Sequence, residues 1–176
     1  MRILDSFFVV AATLVATQTA RAEDTAKPAP QLEAIRAFIG SWSGKGSMMS
    51  EGKTYSITAT YDCAESAGAA GVKCRAVING IPGFTYTFDD LWGYSPQDGL
   101  VHWYVVTNAG EVHDHRGHLD STGGLVEVQI ATQGKLFSEI INIKRKNKSS
   151  FAWSWASTHG GTLREKGELS MQLKTK

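Results

Sequence analysis

Three histidines in one short segment are the residues of this sequence best suited to chemistry. Residues 111–118 read EVHDHRGH, so His113 and His115 are two positions apart and His118 follows three positions later. In an extended strand, residues two apart point to the same side, and His118 points to the other. His113 and His115 could therefore share a metal ion, with Glu111 as a third ligand, or make polar contacts to a bound molecule. Histidines that are simply exposed or hydrogen-bonded are the alternative.

The face on which these two histidines lie depends on the turn at residues 108–110. A three-residue turn with a glycine bulge places His113 and His115 on the same face as Trp103. A two-residue turn places them on the same face as Tyr104 instead, because a shift of one residue exchanges the two faces of a strand. The sequence leaves both registers open.

Signatures of known enzyme classes are missing from the sequence. It has no nucleophile elbow, no phosphate-binding glycine loop and no HExxH motif. Asp89 and Asp90 are adjacent carboxylates, but neighbours in a strand point to opposite faces and cannot share a proton. We expect both to be solvated near a strand end. An enzyme of unknown type, or an interaction module without a ligand, remains an alternative function.

Alternation of apolar and polar residues begins at Trp42 and continues to the end of the chain. A period of two is typical of strands with one buried face, and short turn signals separate the runs. An antiparallel meander that closes into a β-barrel leaves no exposed edge, so we expect that fold, with a two-sheet sandwich as the alternative. The pattern predicts about ten strands, near residues 42–50, 53–63, 72–79, 84–91, 99–107, 111–119, 124–131, 135–144, 149–158 and 163–174.

A short helix is predicted before the first strand. Pro30 suits a first helical turn, and Leu32, Ile35 and Phe38 recur at helical spacing. Gly40 is expected to end the helix in the left-handed conformation. So short a helix is not stable alone, and its apolar stripe is predicted to cover the barrel.

The predicted barrel has an aromatic interior. Ten strands enclose more space than eight, and eight already accommodate side chains or one small ligand. We therefore expect a cavity for a small, mainly apolar molecule, with a filled core as the alternative. The predicted ligand-binding residues are Tyr55, Tyr61, Tyr86, Trp103, His113, His115, Trp153, Trp155 and His159.

The N-terminal 22 residues have the form of a signal peptide. Arg2 precedes an apolar run at residues 7–16, and small residues at positions 20 and 22 suit a signal peptidase. The run is too short to span a bilayer, so the protein is predicted to be exported to the periplasm or secreted, not to span the membrane. Residues 23–30 would be a flexible lead-in, and residues 31–176 would form the barrel domain.

The predicted mature chain is electrically neutral. The full chain has 18 basic and 17 acidic residues, and removing two arginines and one aspartate with the signal leaves 16 of each. A neutral chain has no electrostatic footprint for nucleic acid, so a nucleic-acid partner is not expected. Neither the oligomeric state nor the identity of a ligand follows from these residues.

The two cysteines are predicted to form a disulfide. Cys63 and Cys74 flank a segment centred on Gly68-Ala69, and in a symmetric hairpin they lie directly opposite each other. Opposed strand residues are within disulfide reach, and an exported protein is in an oxidising compartment.

The helix followed by Gly40-Ser41-Trp42 resembles the entrance motif of the lipocalin (calycin) family. In that family the tryptophan packs at the closed barrel end against a basic residue of the last strand. The resemblance therefore implies that Arg164 stacks on Trp42. The wider chain, including residues 91–94 and 120–124, is similar to bacterial lipocalin-like domains of unknown function.

The longer pattern Gly40-x-Trp42-x-Gly44-x-Gly46 also resembles the first strand of nitrobindin, a ten-stranded haem-binding barrel. This likeness implies haem as a possible cofactor, with iron held by a histidine late in the chain. His159 matches that histidine by position, and it is also a candidate metal ligand.

Overall fold

The computed structural model describes residues 29–132 and 134–175, which form one helix and ten strands. The predicted signal peptide, and the lead-in except for residues 29 and 30, lie outside these residues. The elements are α1 (Pro30–Arg36), β1 (Gly40–Ser50), β2 (Lys53–Ser66), β3 (Gly71–Ile81), β4 (Phe84–Ser95), β5 (Leu100–Thr107), β6 (Val112–Asp120), β7 (Gly123–Thr132), β8 (Lys135–Asn147), β9 (Ser150–His159) and β10 (Thr162–Leu173).

The ten strands form a closed antiparallel barrel. Each strand pairs with its neighbours in the sequence, and β1 pairs with β10 to close the sheet. The closing register runs from Trp42 opposite Leu173 to Ser50 opposite Glu165. The predicted meander barrel is confirmed, and the sandwich alternative is wrong, because the first and last strands pair along their lengths.

The helix covers one end of the barrel, which we call the closed end. Ala34 and Ile35 are buried, and α1 packs against β3, β4 and β6. Just after the helix, Phe38 is buried and stacks on Trp92, with 5.6 Å between ring centroids. Trp42 is also buried, and its indole Nε1 donates to the Phe38 carbonyl at 2.7 Å. The apolar stripe thus covers the core, as predicted.

The helix ends earlier than predicted, at Arg36. The backbone N–H groups of Phe38 and Ile39 donate to the carbonyls of Ile35 and Arg36, respectively. These bonds join residues three apart, so 3₁₀-type turns satisfy carbonyls at the end of the helix. Gly40 is the first residue of β1, with a φ of +132°, and does not cap the helix in the left-handed conformation.

Arg164 does not stack on Trp42. It is exposed and lies in a bulge of β10 between Leu163 and Glu165, whereas Trp42 lies opposite Leu173 at the other end of that strand. Arg145 of β8 supplies the cation at the closed end. Its guanidinium donates to the Ala37 carbonyl at 2.9 Å and lies 5.9 Å from the centre of the Phe38 ring.

The predicted disulfide joins β2 and β3. Cys63 and Cys74 are directly opposed, with Cα atoms 4.1 Å apart. The turn between them has positive φ at residues 67–69, which agrees with the predicted turn centre. The connection beside this disulfide also holds the helix, because the Arg36 guanidinium donates to the Ala69 carbonyl.

Candidate ligand-binding cavity

A cavity of about 320 Å³ occupies the barrel half opposite α1. Its rim is formed by the ends of strands joined by the hairpins at 50–53, 81–84 and 107–112. Phe84 at this rim is 41% exposed, so the cavity reaches solvent there, and we call this the open end.

Aromatic rings make up much of the cavity wall. Of the predicted ligand-binding residues, Tyr86, Trp103, Trp153 and Trp155 line it. Trp103 forms the floor, with its ring centroid 4.5 Å from that of Trp92 below it in a nearly parallel stack. The wall also includes the rings of Phe84, Phe88 and Phe137.

Two of the predicted aromatic residues lie elsewhere. Tyr55 is half-buried against the core and is not part of the cavity wall. Tyr61 is buried deeper, where its hydroxyl donates to an oxygen of Asp90 at 2.8 Å and accepts from Trp92 Nε1 at 2.8 Å. Tyr61 therefore belongs to a polar network beneath the floor.

Asp90 in this network corrects the expectation of a solvated residue. Its neighbour Asp89 does face solvent and pairs with Arg75 at 2.7 Å. Asp90 is only 6% exposed, because its strand position points inward. Burial raises the pKa of its carboxyl to about 7, while the hydrogen bond donated by the Tyr61 hydroxyl counteracts that shift.

The two histidines both point into the cavity. The register places His115 opposite Trp103 and His113 opposite Val105, which is the outcome predicted for the longer turn. His115 is 1% exposed, and its Nε2 lies 2.8 Å from a carboxylate oxygen of Glu139. The Nδ1 of His113 lies 3.9 Å from the same oxygen.

These three side chains form a compact polar cluster. The candidate ligand atoms of His113, His115 and Glu139 all lie within 4.8 Å of one another. Glu111, the predicted third metal ligand, instead accepts a hydrogen bond from the Tyr86 hydroxyl at 3.0 Å. Burial lowers the pKa of His113, although Glu139 opposes the shift, so its neutral form is favoured.

A further carboxylate lies on β10, two strands from Glu139, with Ser157 of β9 between them in the register. Glu165 accepts a hydrogen bond from the Trp155 indole Nε1 at 2.7 Å. Burial raises the pKa of Glu165, and the negative charges of Glu139 and Glu111 raise it further. Gly167 lies directly opposite Trp155 and makes room for it, because a Cβ there would lie 2.3 Å from the indole ring.

His159 does not reach the cavity wall. It is half-buried on β9 opposite Phe137, and its Nε2 is buried without a hydrogen-bond partner among the described residues. The inward alternation that begins at Phe151 ends here, at the last residue of the strand. The geometry therefore separates His159 from the His113–His115–Glu139 cluster.

Beside this cluster, β6 and β7 separate from each other toward the open end of the barrel. β6 and β7 pair only through residues 116–120 and 123–127, so the strands are not paired nearer the open end. An outer groove lies there, lined by His113 and by residues of both strands. His113 therefore borders both the cavity and the outer surface.

Glu139 and Glu165 are the site residues that our sequence reasoning missed. Glu139 shares the alternation of Phe137 and Ile141, and Glu165 shares that of Leu169. A carboxylate in phase with the apolar residues of its strand was the signal that could have identified both.

Similarity to known proteins is found at the level of fold. No model of a protein family matches the sequence. No curated protein shows significant similarity to it. Among solved structures, the S-type phycobiliprotein lyase CPES from Guillardia theta matches with a TM-score of 0.56 and 8% identity, over 82% of this chain and 92% of that one. This likeness supports a calycin-like fold for the chain.

No helix in the described part of the chain combines the length and hydrophobicity needed to span a membrane.

Proposed function

We propose that this protein is an exported carrier or receptor that holds one small, mainly apolar molecule inside its barrel. The observation that supports this most directly is the 320 Å³ cavity with its aromatic wall and a few inward polar groups. Ligand pockets typically have this composition, because apolar surface provides affinity and a few polar atoms fix orientation.

The difference between the two halves of the barrel supports ligand binding over a simply filled core. Trp103 separates a filled half from a hollow one, and the hollow half contains Glu139 and His115. Burying such polar groups destabilises a fold unless they are hydrogen-bonded within the protein or to a ligand. The similar barrel fold of a phycobiliprotein lyase is consistent with a small-molecule ligand.

Export is the second part of this proposal. It is supported by the signal-like pattern of residues 1–22 and by the disulfide between Cys63 and Cys74. Disulfides persist mainly in oxidising compartments. Fractionation of cells that express the full chain, with N-terminal sequencing of the product, tests both export and cleavage after Ala22.

Fluorescence of the neutral apolar dye N-phenyl-1-naphthylamine tests the cavity. We expect saturable enhancement with one site per chain, and loss of that enhancement in Ser157→Phe, which places a ring in the cavity. Ser154→Phe on the same strand is the control, because Ser154 is exposed on the outer wall. Equal dye binding by both variants would place the dye outside the barrel and refute the proposal.

A metal site is a second candidate function. It is favoured by the convergence of His113, His115 and Glu139, since two imidazoles and a carboxylate are a common zinc-binding set. Titration with Zn²⁺ or Co²⁺, followed by calorimetry or visible absorption, tests it. Stoichiometric binding that is lost in His115→Ala but kept in the exposed-residue control His118→Ala would support this function.

A further inference from the structure

The charged groups that line the cavity all have the same sign. Glu111, Glu139 and Glu165 contribute carboxylates, and no lysine or arginine is among the described lining residues. Burial favours the neutral form of His113, so this histidine does not balance the carboxylates. Burial raises the pKa of Glu165, and the negative charges of Glu139 and Glu111 raise it further.

Three hydrogen-bonding groups of the cavity already contact its carboxylates. The Tyr86 hydroxyl donates to Glu111, and the Trp155 indole donates to Glu165. His115 lies 2.8 Å from Glu139 through Nε2, and a donated bond there places its proton on that nitrogen. Each carboxylate retains lone pairs beyond the bond it accepts. The three carboxylates therefore offer free acceptor positions to a ligand.

His115 provides an independent sign of an unmet polar interaction. It is 1% exposed and lines the cavity, and its Nδ1 has no hydrogen-bond partner among the described residues. With the proton on Nε2, Nδ1 is an acceptor. A buried acceptor without a partner is unfavourable, and it adds to the excess of acceptor atoms around the cavity.

The aromatic wall favours the same kind of ligand. The rings of Tyr86, Trp103, Trp153 and Trp155 line the space between the carboxylates. Aromatic faces attract cations, most strongly when water is excluded. An anionic ligand would face three carboxylates with no counter-charge and would be rejected.

We propose that the cavity selects an organic cation: a protonated amine on a flat, apolar body, with its ammonium group among Glu111, Glu139 and Glu165. This inference rests on the proposed ligand-binding function and names the class of ligand. The ammonium group donates hydrogen bonds to the carboxylates and is attracted by their negative charge, and the aromatic wall holds the body.

Calorimetry with three indole compounds tests this selectivity, with EDTA present to exclude metal effects. Tryptamine, tryptophol and indole-3-propionate share one ring system and carry a cationic, a neutral and an anionic head group. We expect tryptamine to bind about tenfold or more tightly than tryptophol. Indole-3-propionate should be the weakest of the three.

Variants that remove a single carboxylate charge test which residues cause the preference for the cation. Glu139→Gln and Glu165→Gln should each weaken tryptamine binding several-fold and leave tryptophol binding nearly unchanged. Glu168→Gln is the matched control, because Glu168 lies on the same strand as Glu165 but is exposed on the outer wall. Thermal unfolding of each variant shows whether the fold is retained, and the ratio of the two affinities excludes a general loss of structure.

The outcomes separate this inference from the proposed function. Equal or tighter binding of tryptophol or indole-3-propionate overturns the cation preference and leaves a neutral binding cavity. Binding of the dye without binding of tryptamine likewise overturns the cation preference and leaves the proposed ligand-binding function standing. Failure of the dye and of all three indoles overturns both proposals.

Discussion

The two ends of the barrel use the same kind of residue for different purposes. At the closed end, Phe151 packs against both Phe38 and Trp42, with ring centroids 5.2 and 5.0 Å apart, and the helix completes this packing. At the open end, Trp155 hydrogen-bonds a carboxylate, Phe84 reaches solvent, and a cavity remains.

This difference arises from what fills the space between facing strands. The helix and the residues just after it add Ile35 and Phe38 to one half of the barrel, where they join the buried core. Among the described residues no further element enters the other half, and the inward positions there include glutamate and histidine. The ten-strand barrel is therefore wider than its side chains fill, and the helix makes up the deficit at one end only.

The largest expected loss of stability comes from a substitution at the closed end. Trp42→Ala should lower the free energy of unfolding by about 3–5 kcal/mol, because it leaves a cavity and removes the bond to the Phe38 carbonyl. Trp155→Ala at the open end should have a clearly smaller effect, since its ring borders space that is already empty. Urea denaturation of both variants measures the comparison. Equal losses would mean that the two ends are packed alike.

Replacement of the buried carboxylate between the two halves should change the pH dependence of stability. The pKa of Asp90 is raised from 3.8 to about 7, so the native state binds this proton more tightly than the unfolded chain. Its stabilising effect is complete below about pH 4 and is lost as the pH rises through about 7. The loss is on the order of 4 kcal/mol.

Asp90→Asn removes this titration, so its stability relative to the wild type should increase between pH 4 and pH 8. Denaturation midpoints across this range, with equal m-values, measure the change. A constant difference between the two proteins would show that Asp90 does not hold a proton at neutral pH.

Loss of the disulfide should destabilise the chain without altering the cavity. The double variant Cys63→Ala/Cys74→Ala should be less stable by about 3 kcal/mol, since the bond closes a short loop in the unfolded chain. Dye affinity at a temperature where the variant is folded should match that of the wild type, because the bond is distant from the cavity wall. A large change in affinity would show that the two ends are coupled.

Adding one methyl group at Gly167 should affect mainly the open end of the barrel. Gly167→Ala displaces the Trp155 indole and its bond to Glu165, so we expect about 1–3 kcal/mol of destabilisation and weaker tryptamine binding. Gly93→Ala is the control, because a Cβ at Gly93 has no atom within 4 Å and its φ is not positive. Similar effects in both variants would point to backbone entropy instead of displacement.

The fold could be predicted from the sequence because the alternation is local and repeated. Most strand ends lie within three residues of the predicted ones, and the pairing of Cys63 with Cys74 follows from the hairpin centre. The register of β6 was left open, since it depends on the geometry of one turn. The structure resolves it by placing His115 opposite Trp103.

The site was only partly predictable, because it depends on contacts between distant strands. His115 and Glu139 are 24 residues apart, and nothing local indicates that they meet. Arg164 was assigned to the closed end by family likeness, but the antiparallel direction of the last strand carries it to the opposite end. Asp90 was misjudged because one inward aspartate in an apolar strand does not reveal its partners.

Both ends of the described chain lie beside the helix. Ala29 leads into α1, and after the last strand the Lys174 N–H donates to the Ser41 carbonyl at 2.8 Å. A fusion partner, affinity tag or surface attached after β10 would therefore begin on the far side of the molecule from the rim around Phe84. Protein immobilised through this end would present the rim of the cavity to solution.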